Sequence, residues 1–191
     1  SVERYFTDTI LANDYFINER LPAQKTQSFF KVIYDLEKEL KLFKIEPDTY
    51  ITLKKLESVG ILETHIIDFQ FQVKQASEGL EYFTLDMLKE KGFTHSLLDL
   101  GFESIFYDRI LWVDSELSTI TLSAGYIFTL QQQDVSLSIF LKWLINHYES
   151  IEAHDLIDEI RQTYHLEIEL SKIITLLQNT DVYYSPELMK F

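Results

Sequence analysis

Apolar residues recur at three- and four-residue steps in seven stretches of this chain, and each stretch predicts an amphipathic helix. Over residues 4–13, Tyr5, Phe6, Ile10 and Leu11 share one face. Over 23–43, just after Pro22, Phe29, Phe30, Ile33, Leu36, Leu40 and Phe43 alternate with Lys and Glu, and Pro47-Asp48 breaks the pattern as a turn pair should. Residues 63–77 carry Ile66, Ile67, Phe69, Phe71 and Val73, closed by Gly79. Residues 102–113 present Phe102, Ile105, Phe106, Ile110 and Val113 after a short turn at 97–101. Further helices are predicted over 136–147, 153–164 and 169–179.

A second pattern is repeated. Tyr50-Ile51-Thr52-Leu53 followed by Leu56 and Gly60 matches Tyr82-Phe83-Thr84-Leu85 followed by Leu88 and Gly92. Each copy reads as an extended stub, a Thr accepting a backbone N–H at a helix start, and a Gly ending a two-turn helix in the left-handed conformation. This repeat predicts the same local structure twice.

Thr119-Ile120-Thr121-Leu122 and Tyr126-Ile127-Phe128-Thr129-Leu130 flank Ser123-Ala124-Gly125 and predict a β-hairpin. Only some of Ile120, Leu122, Ile127 and Phe128 can face inward, since strand residues alternate sides. Short strand, helix, turn, helix, hairpin is the order of a winged helix. Beyond the linker-like Gln131-Gln132-Gln133-Asp134, the order returns with a short strand at 150–152, two helices, an extended 182–186 and a return strand at 188–191. The fold class expected is mainly α with short β-hairpins, as tandem winged-helix-like modules over 1–80, 81–131 and 134–191.

The last module, entered through Ile151-Glu152-Ala153-His154-Asp155-Leu156-Ile157, resembles HARE-type winged-helix domains. That family includes the N-terminal domain of the delta subunit of bacterial RNA polymerase. The segment is also similar to C-terminal regions of large proteins of Gram-positive bacteria. The resemblance covers about fifty residues and implies a transcription-associated or chromatin-like adaptor fold, with no shared catalytic residues to carry over.

Charge changes the expected partner. The chain carries a net −14, from 10 Lys/Arg against 13 Asp/Glu in residues 1–80 and 7 against 18 in residues 81–191. Such a surface repels phosphate, whereas nucleic-acid affinity comes from Lys and Arg releasing counterions. The helix at 169–179 offers only Lys172 and that at 102–113 only Arg109, so neither reads as a DNA-recognition helix. The one locally basic stretch holds Arg20, Lys25, Lys31, Lys38, Lys41, Lys44, Lys54 and Lys55. Of these, Arg20, Lys25, Lys31, Lys38, Lys41, Lys54 and Lys55 are the candidate nucleic-acid-binding residues. A solvated helix face with i,i+4 ion pairs accounts for the same run.

No chemistry stands out. Cysteine is absent, which excludes disulfides and thiol nucleophiles. Nucleotide-binding glycine loops and the G-x-S-x-G elbow are missing too. His154, Asp155, Asp158 and Glu159 cluster on one helix, but acidic side chains near a helix start are explained by the macrodipole. No apolar run reaches the ~18 residues of a membrane span, and the first residues lack signal-peptide grammar. The expectation is therefore a cytoplasmic, non-enzymatic protein without cofactor or metal, whose partner is a protein, with weak nucleic-acid contact at most and no membrane partner. The alternative is a DNA-binding regulator using the N-terminal basic face. Tyr183, Tyr184 and Trp143 are candidate interface anchors, with Trp143 expected in the core.

Overall fold

The computed structural model describes residues 2–17, 27–131 and 134–191. About half of the chain is helical, and the strands form small antiparallel sheets. Contacts gather it into two units, Ser1–Gln75 with Thr94–Ser115 and Ala76–Phe93 with Glu116–Phe191. Residues 81–131, expected as one module, are thus divided between them.

In the first unit, α1 (Val2–Leu11) buries Phe6 and Ile10 and leaves Tyr5 outside, contrary to its expected place on the inner face. β1 (Tyr15–Ile17) pairs antiparallel with β3 (Thr49–Thr52), which pairs with β2 (Leu42–Glu46), giving the order β1-β3-β2. Neither β1 nor β2 was expected. The helix predicted over 23–43 is α2 (Gln27–Lys38) within the described residues; Pro22 and 23–26 lie outside them. It ends early because Leu40 turns left-handed, with φ +55°, while Lys41 N–H donates to Leu36 C=O at 2.9 Å and Leu40 N–H to Glu37 C=O at 3.0 Å. These bonds close the helix end as a glycine would. Leu42 and Phe43 then gain strand partners in Thr52 and Ile51 and are buried. Phe6, Phe16, Phe29, Leu36, Leu42 and Tyr50 form one core. α4 (Glu63–Ala76) and α6 (Ser104–Trp112) also belong to this unit, the latter packing on β2 through Phe106 and Phe43, with ring centroids 6.0 Å apart. A 3-10 turn, Ser96–Leu100, precedes α6.

The repeated pattern gives the same local structure twice. Thr52 caps α3 (Leu53–Ser58) by accepting from Lys55 N–H, and Thr84 caps α5 (Leu85–Glu90) by accepting from Met87 N–H. Gly60 at φ +89° and Gly92 at φ +96° follow, and the next residues, Ile61 and Phe93, donate back to Leu56 and Leu88, both at 2.9 Å. Yet the copies occupy different places. Thr52 ends the second strand of a hairpin, whereas Phe83 makes an isolated bridge to Phe128. The repeat is a shared way of starting and stopping a short helix, not a duplicated module.

In the second unit, β4 (Ser118–Leu122) and β5 (Gly125–Thr129) form the expected hairpin, with a turn of two residues, Ser123 and Ala124, because Leu122 pairs with Gly125. Ile127 and Phe128 are both fully buried, so β5 is covered on both faces; Leu122 is half-buried. α7 (Leu137–Ile145) packs on α9 (Leu170–Leu177), and α8 (Ala153–Tyr164) contacts α5. The expected strands at 150–152 and 188–191 are reduced to single bridges, Glu152 to Lys190 and Ser185 to Lys190, with Ile151 and Phe191 exchanging backbone hydrogen bonds at 3.2 and 2.9 Å.

Candidate functional site

Of the candidate nucleic-acid-binding lysines among the described residues, Lys31, Lys41 and Lys55 are paired with carboxylates. Arg20 and Lys25 lie outside the described residues. Lys31 bonds Asp35 at 2.8 Å with Glu3 at 3.8 Å, and its ammonium is held above the usual lysine range, chiefly by the Asp35 hydrogen bond. Lys41 meets Glu39 at 2.6 Å, and Lys55 meets Asp14 at 3.8 Å. Lys38 sits over the Tyr34 ring, 5.3 Å from its centroid. Lys54 is exposed and forms no ion pair among the described residues. Lys44 is half-buried 5.8 Å from the Tyr50 ring centroid, and burial, then the nearby Arg109, lowers its pKa.

Arg109, the one cation of α6, is turned inward. Its Nε donates to Glu37 Oε1 at 3.0 Å and its second nitrogen to Oε2, while the Glu37 side chain is 3% exposed. The guanidinium lies 3.8 Å from the Trp112 ring centroid, and Trp112 meets Tyr34 edge-on at 5.4 Å. Glu37, Arg109, Trp112, Tyr34 and Lys38 therefore form one ladder across α2 and α6. Sequence reasoning missed it because Glu37 and Arg109 are far apart in the chain and Glu37 looks like any surface glutamate. Beyond the ladder, α2 displays Phe30, which is half exposed, as are Ile67 and Phe71 on α4.

In the second unit, Lys172 lies beside Arg161, Glu167 and Glu169 in an open cleft under the β4–β5 turn. Arg161 is already bonded to Asp158 at 3.0 Å. No family model, curated protein or solved structure matches the chain.

The histidines are dispersed. His154 is exposed, 3.2 Å from Asp158 and 3.9 Å from Asp155; His147 Nδ1 lies 2.8 Å from the Trp143 carbonyl; His165 meets Glu90 at 3.0 Å. In the first unit, His65 Nδ1 accepts from Leu62 N–H, and His95 lies between Leu97 N–H and Asp68. Among the described residues no three His, Asp or Glu side chains are gathered for a metal, and no helix is long and apolar enough to cross a membrane.

Trp143 is half-buried, stacked among Tyr82, Phe140 and His147. Tyr164 closes this cluster against Phe140, with ring centroids 5.0 Å apart. Burial, then Glu159 and the neighbouring tyrosines and Glu81, pushes its hydroxyl up to about 12. Because the folded pKa is raised above the unfolded value near 10, the associated stability is intact below pH 10 and is lost as pH rises toward 12. Tyr82 and Tyr148 are also raised by burial, so tyrosinate absorbance should show Tyr164 ionising last, together with unfolding, and Tyr164→Phe should flatten the loss. Coincident ionisation of all tyrosines near 10 would contradict this burial.

A different surface lies at the end of the chain. A groove of about 560 Å³ runs between the end of α7 and residues 181–191. Tyr183, Leu188 and Met189 are among the most exposed large apolar side chains described, at 76, 68 and 57%. Of the two expected anchors there, Tyr183 is free to make contacts, while the Tyr184 ring packs on Phe191 at 4.8 Å.

Proposed function

We propose that the chain is a non-enzymatic protein–protein adaptor built from winged-helix-type modules, transcription-associated as the HARE resemblance implies. The winged-helix reading is supported by one pairing scheme that occurs three times. A short extended segment following a helix pairs with the later strand of a downstream hairpin: β1 with β3, Phe83 with Phe128, and Glu152 with Lys190. In chain order, helical structure lies between the segment and the hairpin each time: α2, then α5 of the second unit followed by α6 of the first, then α8 with α9.

The observation that carries the adaptor reading is what the helix before each hairpin displays. In a DNA-binding winged helix it offers cations to the phosphates. Here α2 displays Phe30 and Tyr34 and shares Lys31 with carboxylates, α6 spends Arg109 on Glu37, and α9 has Lys172 beside Glu169. Exposed aromatics with offset charges suit a protein surface better than a polyanion. Photo-crosslinking through a benzophenone side chain at Tyr34, in extract of the native host, tests this. The expected product is a discrete protein adduct unchanged by nuclease. Adducts that nuclease abolishes would replace the adaptor with a DNA-bound regulator.

A further inference from the structure

We propose that the groove at the C-terminal end of the second unit docks an extended segment of a partner protein, with apolar and basic side chains alternating. The inference rests on the adaptor reading and adds the site and the partner's chemistry. Three observations define the occupant. The groove has an apolar floor and lip, supplied by Ile145, Tyr148, Val182, Tyr183, Leu188 and Phe191. Tyr148, Tyr183 and Leu188 remain 41, 76 and 68% exposed, although they are the side-chain types that gain most from burial. Large exposed apolar surface of this kind marks an interaction site rather than ordinary surface.

Carboxylates outnumber cations: Glu149, Asp181 and Lys190 line the groove, and Glu187, which accepts from the Ser185 hydroxyl, stands in the turn beside Leu188. The nearby cations are already engaged, Lys142 with Asp181 at 2.7 Å and Lys190 with Glu152 at 3.6 Å. The whole second unit carries 6 Lys/Arg against 15 Asp/Glu, a net −9. A basic segment is attracted to such a surface and an acidic one repelled.

The main chain is open as well. Ser185 pairs with Lys190, but the amides of Tyr183 and Tyr184 have no hydrogen-bond partner among the described residues. An incoming extended chain can bond to the Tyr183 amide, the one of the two whose residue lines the groove. Its alternate side chains then enter the groove, while the others face the carboxylates.

The test uses a short fluorescein-labelled peptide alternating Lys and Val, titrated against the full chain by anisotropy. Peptides alternating Glu with Val and Lys with Ser are the controls. The Lys/Val peptide should bind at least about tenfold more tightly than either control. Tyr183→Ser combined with Leu188→Ser should weaken it about tenfold. Both side chains are exposed, so folding is expected to survive, and circular dichroism checks that it does. Glu149→Lys should weaken it several-fold, most at low salt.

Equal binding of the Lys/Ser and Lys/Val peptides, unchanged binding by the Ser double variant, or no binding at all would overturn the proposal. So would a concentration-dependent dimer in sedimentation that the same double variant abolishes, because the groove would then belong to a second copy. Failure here leaves the α2 surface and the adaptor reading in place. Nuclease-sensitive crosslinks at Tyr34 would instead remove the adaptor reading without touching the peptide result.

Discussion

Arg109→Ala is expected to destabilise the protein by about 3–5 kcal/mol, because it strands the buried Glu37 carboxylate without its partner. Glu37 is 3% exposed and receives two guanidinium hydrogen bonds. The desolvation of Glu37 remains after its compensation is gone. The substitution also removes the cation over Trp112, which adds a smaller loss. Urea unfolding of the variant measures the change as a lower midpoint. Replacing both partners, Glu37→Met with Arg109→Met, should recover most of the stability, since a buried pair often holds little net advantage over apolar side chains of similar volume. A loss below about 1 kcal/mol for Arg109→Ala would mean that the pair behaves as an exposed one.

Phe128→Ala should cost about 3–5 kcal/mol in the second unit. Phe128 is fully buried, its ring lies 5.7 Å from Phe83, and its backbone exchanges two hydrogen bonds with Phe83 at 2.8 and 2.9 Å. Truncation leaves a cavity between the hairpin and residue 83 that neither backbone can close without breaking those bonds. Amide exchange should then show lost protection over β4 and β5. Full protection together with an unchanged unfolding midpoint would contradict the packing.

Local rules were the part of this fold most readable in the sequence. Thr52 with Gly60, and Thr84 with Gly92, start and stop their helices within a dozen residues, so the residues that decide the outcome are neighbours. The β4–β5 hairpin is equally local. β1 was not legible, because three residues are too few to show a period and the strand exists only by pairing with residues 49–51. The end of α2 was not legible either, since the left-handed residue is Leu40, whose burial offsets a strain usually given to glycine. In α4, the sequence offers five apolar positions without saying which of them turn inward. Ile66, Phe69 and Val73 are buried, while Ile67 and Phe71 fall on the outer side.

The candidate site was legible only as a list of cations. Asp35 for Lys31 and Glu39 for Lys41 are near neighbours, but other partners come from distant places in the chain: Asp14 for Lys55, Glu3 for Lys31, and Glu37 for Arg109. The ladder and the C-terminal groove depend on tertiary proximity, which periodicity does not encode.

Titration of the chain with a labelled DNA duplex across a range of salt concentrations tests the central claim most directly. The adaptor account predicts weak, non-saturating binding at near-physiological salt and a shallow dependence of log affinity on log salt. Each phosphate neutralised contributes about 0.9 to that slope. Nanomolar binding with a steep slope, abolished by replacing Lys38, Lys41, Lys54 and Lys55 together, would contradict the account and assign the chain to DNA.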